Sequence, residues 1–232
     1  MNGLSKQEYQ KLAVATVFAV AMGYLESAVV VYLRFLYYPR GFNFPLNPLM
    51  DGKVMAVEGV RELSTLVMLL GVAYLAGSNW KNRFAYFLLT FAVWDIFYYV
   101  GLKAVLDWPD SFRTFDILFL VPWPWVSPVL APVVASLAMI ALALCLLRAK
   151  DSPHSTEWAL WIAGSFAILV SFLEDYGRLM AQGGYFKNFL NLATNPGFMV
   201  LLSNHVPESY DWFLFWVGEA VIAVGIYVYG RK

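Results

Sequence analysis

Six acidic residues, Glu26, Glu58, Glu62, Asp95, Glu174 and Glu219, interrupt stretches that are otherwise apolar enough to cross a membrane. A carboxylate at the centre of a bilayer costs about 2.5 to 3.5 kcal/mol even on a lenient insertion scale, so so many chance placements are a poor account of them. The acids mark the working part of the chain. Helical spacing groups some of them. Glu58 and Glu62 are four residues apart and share a helix face, with Arg61 beside both, and Glu174 and Arg178 stand in the favourable acid-first order for an ion pair. Asp95 is followed by Tyr98 and Tyr99, whose hydroxyls can donate to it or to a ligand, and Tyr24 and Ser27 flank Glu26 as further lining.

Two kinds of chemistry suit such groups. Carboxylate oxygens favour magnesium, calcium or manganese, which makes Glu26, Glu58, Glu62, Asp95 and Glu219 candidate ligands of a divalent metal ion, with His205 offering one nitrogen. A metal-free site would use Glu26, Glu62, Asp95 and Glu219 as acid/base groups, Arg61 to tune their charge or grip an anion, and Tyr98 as a hydrogen-bond donor. The competing structural account is that each acid is neutralised, or paired with an arginine to fix helix packing; Glu58, Glu174 and Asp175 fit that account best, and His205 fits a solvated loop position. Counted against Arg61 and Arg178, the six acids leave a negative surplus that protons, a bound cation or a cationic substrate must remove.

Other machinery is excluded. The sequence has no Gly-x-Ser-x-Gly elbow, His-Glu-x-x-His, phosphate-binding loop, dinucleotide fingerprint or Glu-x-x-His pair. Cys145 is the only cysteine, which rules out a disulfide framework, a redox CxxC pair and a thiolate zinc site within the chain. A net charge of zero without a basic stripe argues against nucleic acid.

The elements that must position these acids follow from hydropathy. The 232-residue chain is 60% hydrophobic and 14% charged, against about 45 to 50% and about 25% in soluble domains. Six segments reach the roughly 20 apolar residues that a span requires: 12–33, 54–77, 84–106, 126–147, 158–180 and 212–229. The first is too long for a signal peptide, holds Glu26 and lacks a cleavage site, so it reads as a retained helix. The expected fold is all-α, a polytopic membrane helix bundle of six transmembrane helices forming a single integral membrane domain over residues 1–232.

An even number of spans puts both termini on one side with the loops 78–83 and 148–157, where Lys6, Lys11, Lys81, Arg83, Arg148, Lys150, Arg231 and Lys232 lie. The opposite loops mix Asp51, Asp107, Asp110, Asp116, Glu208 and Asp211 with fewer cations, so the expectation is cytoplasmic termini, in a bacterial or archaeal cell membrane. Residues 119–132, FLVPWPWVSPVLAP, cannot form a continuous helix and suggest a re-entrant or interfacial segment, while 182–211 suggests short helices on the membrane surface; plain connecting loop is the alternative for both. Aligned on their acids, FAVAMGYLE at 18–26 and FAILVSFLE at 166–174 match, with a shorter echo FAVWD at 91–95, which would make the chain three repeated helical hairpins.

Depth joins the acids. Glu26, Glu62 and Glu219 lie about 7 to 8 residues from the outer span ends, on the order of 10 Å down, and the inner halves of the spans are nearly free of charge. The expected site is an outward-facing carboxylate pocket. Its favoured use is a membrane enzyme, with or without a metal ion, acting on a lipid-like or small amphiphilic substrate admitted past Trp108, Trp123, Trp125 and Tyr185. The alternatives are a proton- or cation-coupled transporter of small solutes and an accessory subunit of a larger membrane complex. Membrane lipid is the expected surrounding, and a protein partner or a homo-oligomer fits the small and aromatic residues of the spans.

Overall fold

The computed structural model describes residues 5–46, 52–187 and 195–231. Asp51, Lys232 and the central part of the 182–211 segment, residues 188–194, lie outside the described residues. Among the described residues, seven helices and two short strands run in the order α1 Lys6–Tyr37, α2 Gly52–Ala76, α3 Trp80–Leu106, β1 Phe115–Phe119, β2 Trp125–Pro128, α4 Leu130–Arg148, α5 Ser155–Gly183, α6 Pro196–Asn204 and α7 Trp212–Gly230. All but α6 are long and apolar enough to cross a membrane, consistent with an integral membrane protein.

Local chemistry sets the helix ends. Ser5 caps α1, accepting from the Glu8 amide at 3.2 Å while Glu8 accepts from the Ser5 amide at 2.7 Å. Asn79 and Asp211 cap α3 and α7 in the same way through one side-chain oxygen each. Helix α5 ends where Gly184 takes a left-handed φ of 69°, a conformation that costs glycine nothing. Large apolar side chains such as Val17, Phe35, Leu75, Phe166 and Phe213 point outward along the long helices, as a hydrocarbon surround requires and water would not tolerate in such numbers.

Polar contacts gather the ends of the helices into two groups. Lys11 donates to the Ala76 carbonyl at 3.1 Å, Lys81 donates to the Ala149 carbonyl, and Tyr229 donates to the Asp151 carbonyl at 2.7 Å. Both termini and the two short connections therefore share one end, and the long connections share the other. The terminal end is filled by one apolar cluster drawn from all six long helices, with Ala15, Leu69, Leu89, Leu146, Trp161 and Tyr229 among its buried members.

Helix α3 is the centre of the packing and touches α1, α2 and α4, while α5 pairs with α7. Small residues permit the close approaches. A Cβ on Gly23 of α1 would sit 2.7 Å from the Trp94 carbonyl of α3, and Gly164 of α5 and Gly218 of α7 would each bring a Cβ to 2.7 Å from the other's carbonyl. Helix α1 lies mainly along α3 and only lightly against α2. The sequence match between 18–26 and 166–174 thus joins helices that pack differently, and the expected three repeated hairpins find no support in this arrangement.

One expected boundary shifts for a visible reason. The fourth span was expected from residue 126, but α4 begins at Leu130 because Trp125–Pro128 pairs antiparallel with Phe115–Phe119, Asp116 opposite Ser127 and Ile117 opposite Val126. Pro132 falls in the first turn of α4, where a missing amide hydrogen breaks no helical bond. The proline-rich stretch is therefore neither helix nor plain loop. It is the tip of a β-hairpin held against the bundle, with Trp123 donating to the Leu173 carbonyl of α5 at 3.0 Å and Trp125 donating to the Val121 carbonyl at 2.9 Å.

Candidate functional site

Beneath that hairpin lies a cavity of about 120 Å³, walled by α1, α2, α3 and β1. Its lining includes Glu26, Glu58, Glu62, Asp95 and Asp116 together with Arg34 and Arg61. Helical periodicity accounts for the convergence of the first group. Glu58, Arg61 and Glu62 recur at three- and four-residue spacing on one face of α2, Glu26 comes from α1, and Asp95, Tyr98 and Tyr99 come from one face of α3.

Three arrangements hold the charges. Arg61 donates through Nε to Glu58 Oε2 at 2.8 Å and forms a second ion pair with Glu26, whose other oxygen accepts from the Thr65 hydroxyl at 3.3 Å. Arg34 pairs with Asp116 at 3.3 Å, and its guanidinium carbon lies 3.6 Å from the Trp108 ring centroid and 4.6 Å from that of Phe42. The remaining two carboxyls meet neutral donors. Both oxygens of Glu62 accept from the Leu120 amide, at 2.9 and 3.0 Å, and Asp95 accepts from the Ser136 hydroxyl at 2.8 Å.

Donors on the cavity lining also lack acceptors. Arg34 Nη1 and Trp94 Nε1 are enclosed without a hydrogen-bond partner among the described residues, and both side chains line the cavity. Such groups are costly when left unsatisfied and are a common mark of a position that an occupant completes. Asp116 shows the opposing forces most clearly. Burial raises its carboxyl above the ordinary aspartate value, and Arg34, the Ile117 amide and the hydroxyls of Tyr99 and Tyr98 offset part of that rise.

The structure thus brings Glu26, Glu58, Arg61, Glu62, Asp95 and Tyr98 into one place, and several details differ from the sequence expectation. Arg61 stays close enough to act on Glu62 but pairs directly with Glu58 and Glu26, while both Glu62 oxygens accept from the Leu120 amide. Tyr98 donates to Asp116 at 3.4 Å rather than to Asp95. Tyr24 is exposed, and Ser27 turns its hydroxyl back to the Tyr24 carbonyl at 2.8 Å, so neither lines the cavity.

Two predicted members lie elsewhere. Glu219 of α7 lines a separate apolar crevice between α3, α4, α5 and α7. His205 follows α6 and sits 2.7 Å from Asp175 of α5, with its ring edge-on to Tyr176, so it ties α6 to α5 instead of joining the carboxylates. Glu174 pairs with Arg178 as its spacing required, on an exposed face away from the cavity. No three His, Cys, Asp or Glu side chains among the described residues are grouped so as to hold a metal ion, so the six-ligand set expected from composition does not assemble.

Sequence reasoning missed Arg34, Asp116 and Trp94, and it named Trp108 only as part of an aromatic entrance, not as the ring stacked on Arg34. Asp116 reads as a loop charge from composition alone, yet FDILF at 115–119 carries one acid in an apolar run, the same signal that marks the helical acids. Arg34 closes an apolar run and so resembles an interfacial anchor. Comparison with known proteins adds nothing to these observations: no protein-family model, curated protein or solved structure matches the chain.

Proposed function

We propose that the chain is a membrane enzyme of the acid–base type, acting on the polar head of a lipid-like or small amphiphilic molecule held in the cavity beneath the hairpin. Glu62 and Asp95 are the proton-handling groups. Arg34 and Trp94 bind acceptor oxygens of the head, and the Glu26–Arg61–Glu58 bridge fixes the local charge. The observation that carries this reading is a single cavity lining that joins two carboxyls hydrogen-bonded to neutral donors, Glu62 and Asp95, with enclosed donors, Arg34 Nη1 and Trp94 Nε1, that lack acceptors among the described residues. A molecule whose head presents oxygen acceptors and a transferable proton completes both sets at once.

Size supports a head rather than a whole lipid. A cavity of about 120 Å³ takes a small polar head and leaves any long tail in the surrounding hydrocarbon. The outward placement of the cavity relative to the cytoplasm, with both termini inside, rests on the basic excess at the terminal end. A transporter would need a polar route through that end, where the described side chains form a continuous apolar cluster.

The test is turnover in nanodiscs of total bacterial lipid extract, followed by lipid mass spectrometry. The wild-type chain is expected to deplete one lipid class, with Glu62→Gln and Asp95→Asn lowering the rate by about a hundredfold or more while folded yield persists. Equal depletion by wild type and both variants overturns the acid–base assignment. Proton-coupled uptake of solute into vesicles without lipid turnover assigns the cavity to transport, and stable co-purification with a second membrane protein, with neither activity, assigns it to an accessory subunit.

A further inference from the structure

A second cavity of about 530 Å³ separates the α3–α4 pair from the α5–α7 pair. It shares no lining residue with the ionic cavity, so a failed test at one site leaves the other untouched. Its wall is apolar and aromatic, with Trp125, Trp158 and Trp161 among the rings and Glu219 as the single acidic side chain. Glu219 is 8% exposed, and its Oε1 is enclosed with no hydrogen-bond partner among the described residues. Ile162 and Phe166 belong to the same lining yet are each 64% exposed on α5, which places the mouth of the cavity on the outer flank of the bundle.

That combination restricts what fits. The mouth opens on a surface made for hydrocarbon, so an occupant arrives from the bilayer and is largely apolar. The mouth faces hydrocarbon instead of bulk water, so what completes the carboxyl is delivered from the bilayer side. The wall supplies no cation, and the aromatic rings present negative π faces that favour positive charge. A neutral lipid tail would fill the space and leave the carboxyl as it stands. An amine on an apolar body supplies the donor for Oε1 and the counter-charge together.

We propose that this crevice is a binding site for a hydrophobic amine, with the ammonium on Glu219 and the apolar body among the tryptophans. The amine can be the headgroup of a membrane lipid or belong to a free amphiphile, and the two sources are separable by experiment. The full chain is reconstituted in nanodiscs of phosphatidylcholine and titrated with 12-bromododecylamine and, in parallel, 12-bromododecanol, reading bromine quenching of tryptophan fluorescence. Saturable quenching by the amine is expected, weakened at least about tenfold in Glu219→Gln, with the alcohol unaffected by that change. Glu219→Asp, which withdraws the carboxyl by one methylene, is expected to fall between the two. Ala138→Phe, which fills the cavity from α4, is expected to abolish saturable quenching by both probes. Quenching that never saturates, or that is equal for amine and alcohol in wild type and Glu219→Gln, overturns the proposal. Native mass spectrometry then assigns the source: an amine-bearing lipid retained by wild type and lost from Glu219→Gln makes the ligand a lipid, and retention of added dodecylamine alone makes it a free amphiphile.

Discussion

The ionic cavity and the apolar crevice both receive acids from long apolar helices, Glu26, Glu58, Glu62 and Asp95 in the first and Glu219 in the second, with Asp116 added to the first from β1, yet they treat them in opposite ways. Glu26, Glu58 and Asp116 are answered by Arg61 and Arg34, and Glu62 by the Leu120 amide of the hairpin. Glu219 is left with an oxygen that nothing among the described residues answers. The difference lies in what covers each site. The hairpin brings Leu120 and Asp116 over the first, whereas the second is flanked by helix faces that offer side chains of hydrocarbon and indole. Charge in a membrane is tolerated where a non-helical segment or a buried arginine reaches it, and elsewhere it marks a place for something from outside the chain.

Removing an arginine should expose that contrast most strongly. Arg34 and Asp116 are both nearly fully enclosed, at 6% and 2% exposure, and a buried pair broken on one side leaves a charge with no counterpart. Arg34→Leu is expected to lower stability in detergent by about 3 kcal/mol or more, whereas Arg34→Leu with Asp116→Leu should recover most of the loss. The pH dependence has a definite sign. Burial already raises the Asp116 carboxyl, and losing Arg34 raises it further, so the folded state holds its proton at pH values where the unfolded chain has released it. Stability of Arg34→Leu should therefore fall as pH rises above the ordinary aspartate value of 3.8, making the deficit smaller at pH about 5 than at about 8. Denaturant unfolding of the single and double variants at both pH values checks this. A deficit that does not change with pH would remove Asp116 as its cause.

The hairpin contact gives a smaller effect with a clean internal control. Glu62→Ala takes the only acceptor from the Leu120 amide and is expected to cost about 1 to 2 kcal/mol, while Glu62→Gln keeps an acceptor oxygen and should cost less than about 0.5 kcal/mol. Proteolysis within 120–124 is a direct readout, since only the alanine variant should free the tip of the hairpin. Equal cleavage of both variants would mean that the hairpin is held by Trp123 and its bond to the Leu173 carbonyl instead.

Most of the helical frame is legible in the sequence, and the reason is physical. Hydrocarbon demands about 20 apolar residues per span, so the six long helices, and the cost of each acid within them, are local properties of the chain. Azimuth is not local. By span counting Glu219 is expected at the depth of Glu26 and Glu62, but depth does not say which neighbour a helix face meets, and Glu219 turns to a different cavity. The pairing of α1 with α3 depends on Gly23 lying against Trp94 and Gly101 against Ser27, contacts that small residues permit without announcing their partner. Arg34 and Asp116 escaped because a cation at the end of an apolar run and an acid in a proline-flanked stretch each have a bland account until the hairpin places them together. The hairpin itself depends on Leu120 meeting Glu62, a contact 58 residues apart in sequence.

The smallest effect should also have the opposite sign. If the crevice around Glu219 is finished by an occupant and not by the protein, the acid contributes nothing to the fold and its burial is a net cost in the empty state. Glu219→Leu is then expected to raise stability by about 1 kcal/mol in detergent free of amines, the reverse of the change at Arg34 or Glu62. Added dodecylamine should stabilise the wild-type chain and leave Glu219→Leu unmoved, because a ligand adds stability only to the state that binds it. Thermal unfolding followed by tryptophan fluorescence, with and without the amine, measures both. A loss of stability in Glu219→Leu would give the acid a structural role, and the two regions would no longer differ in kind.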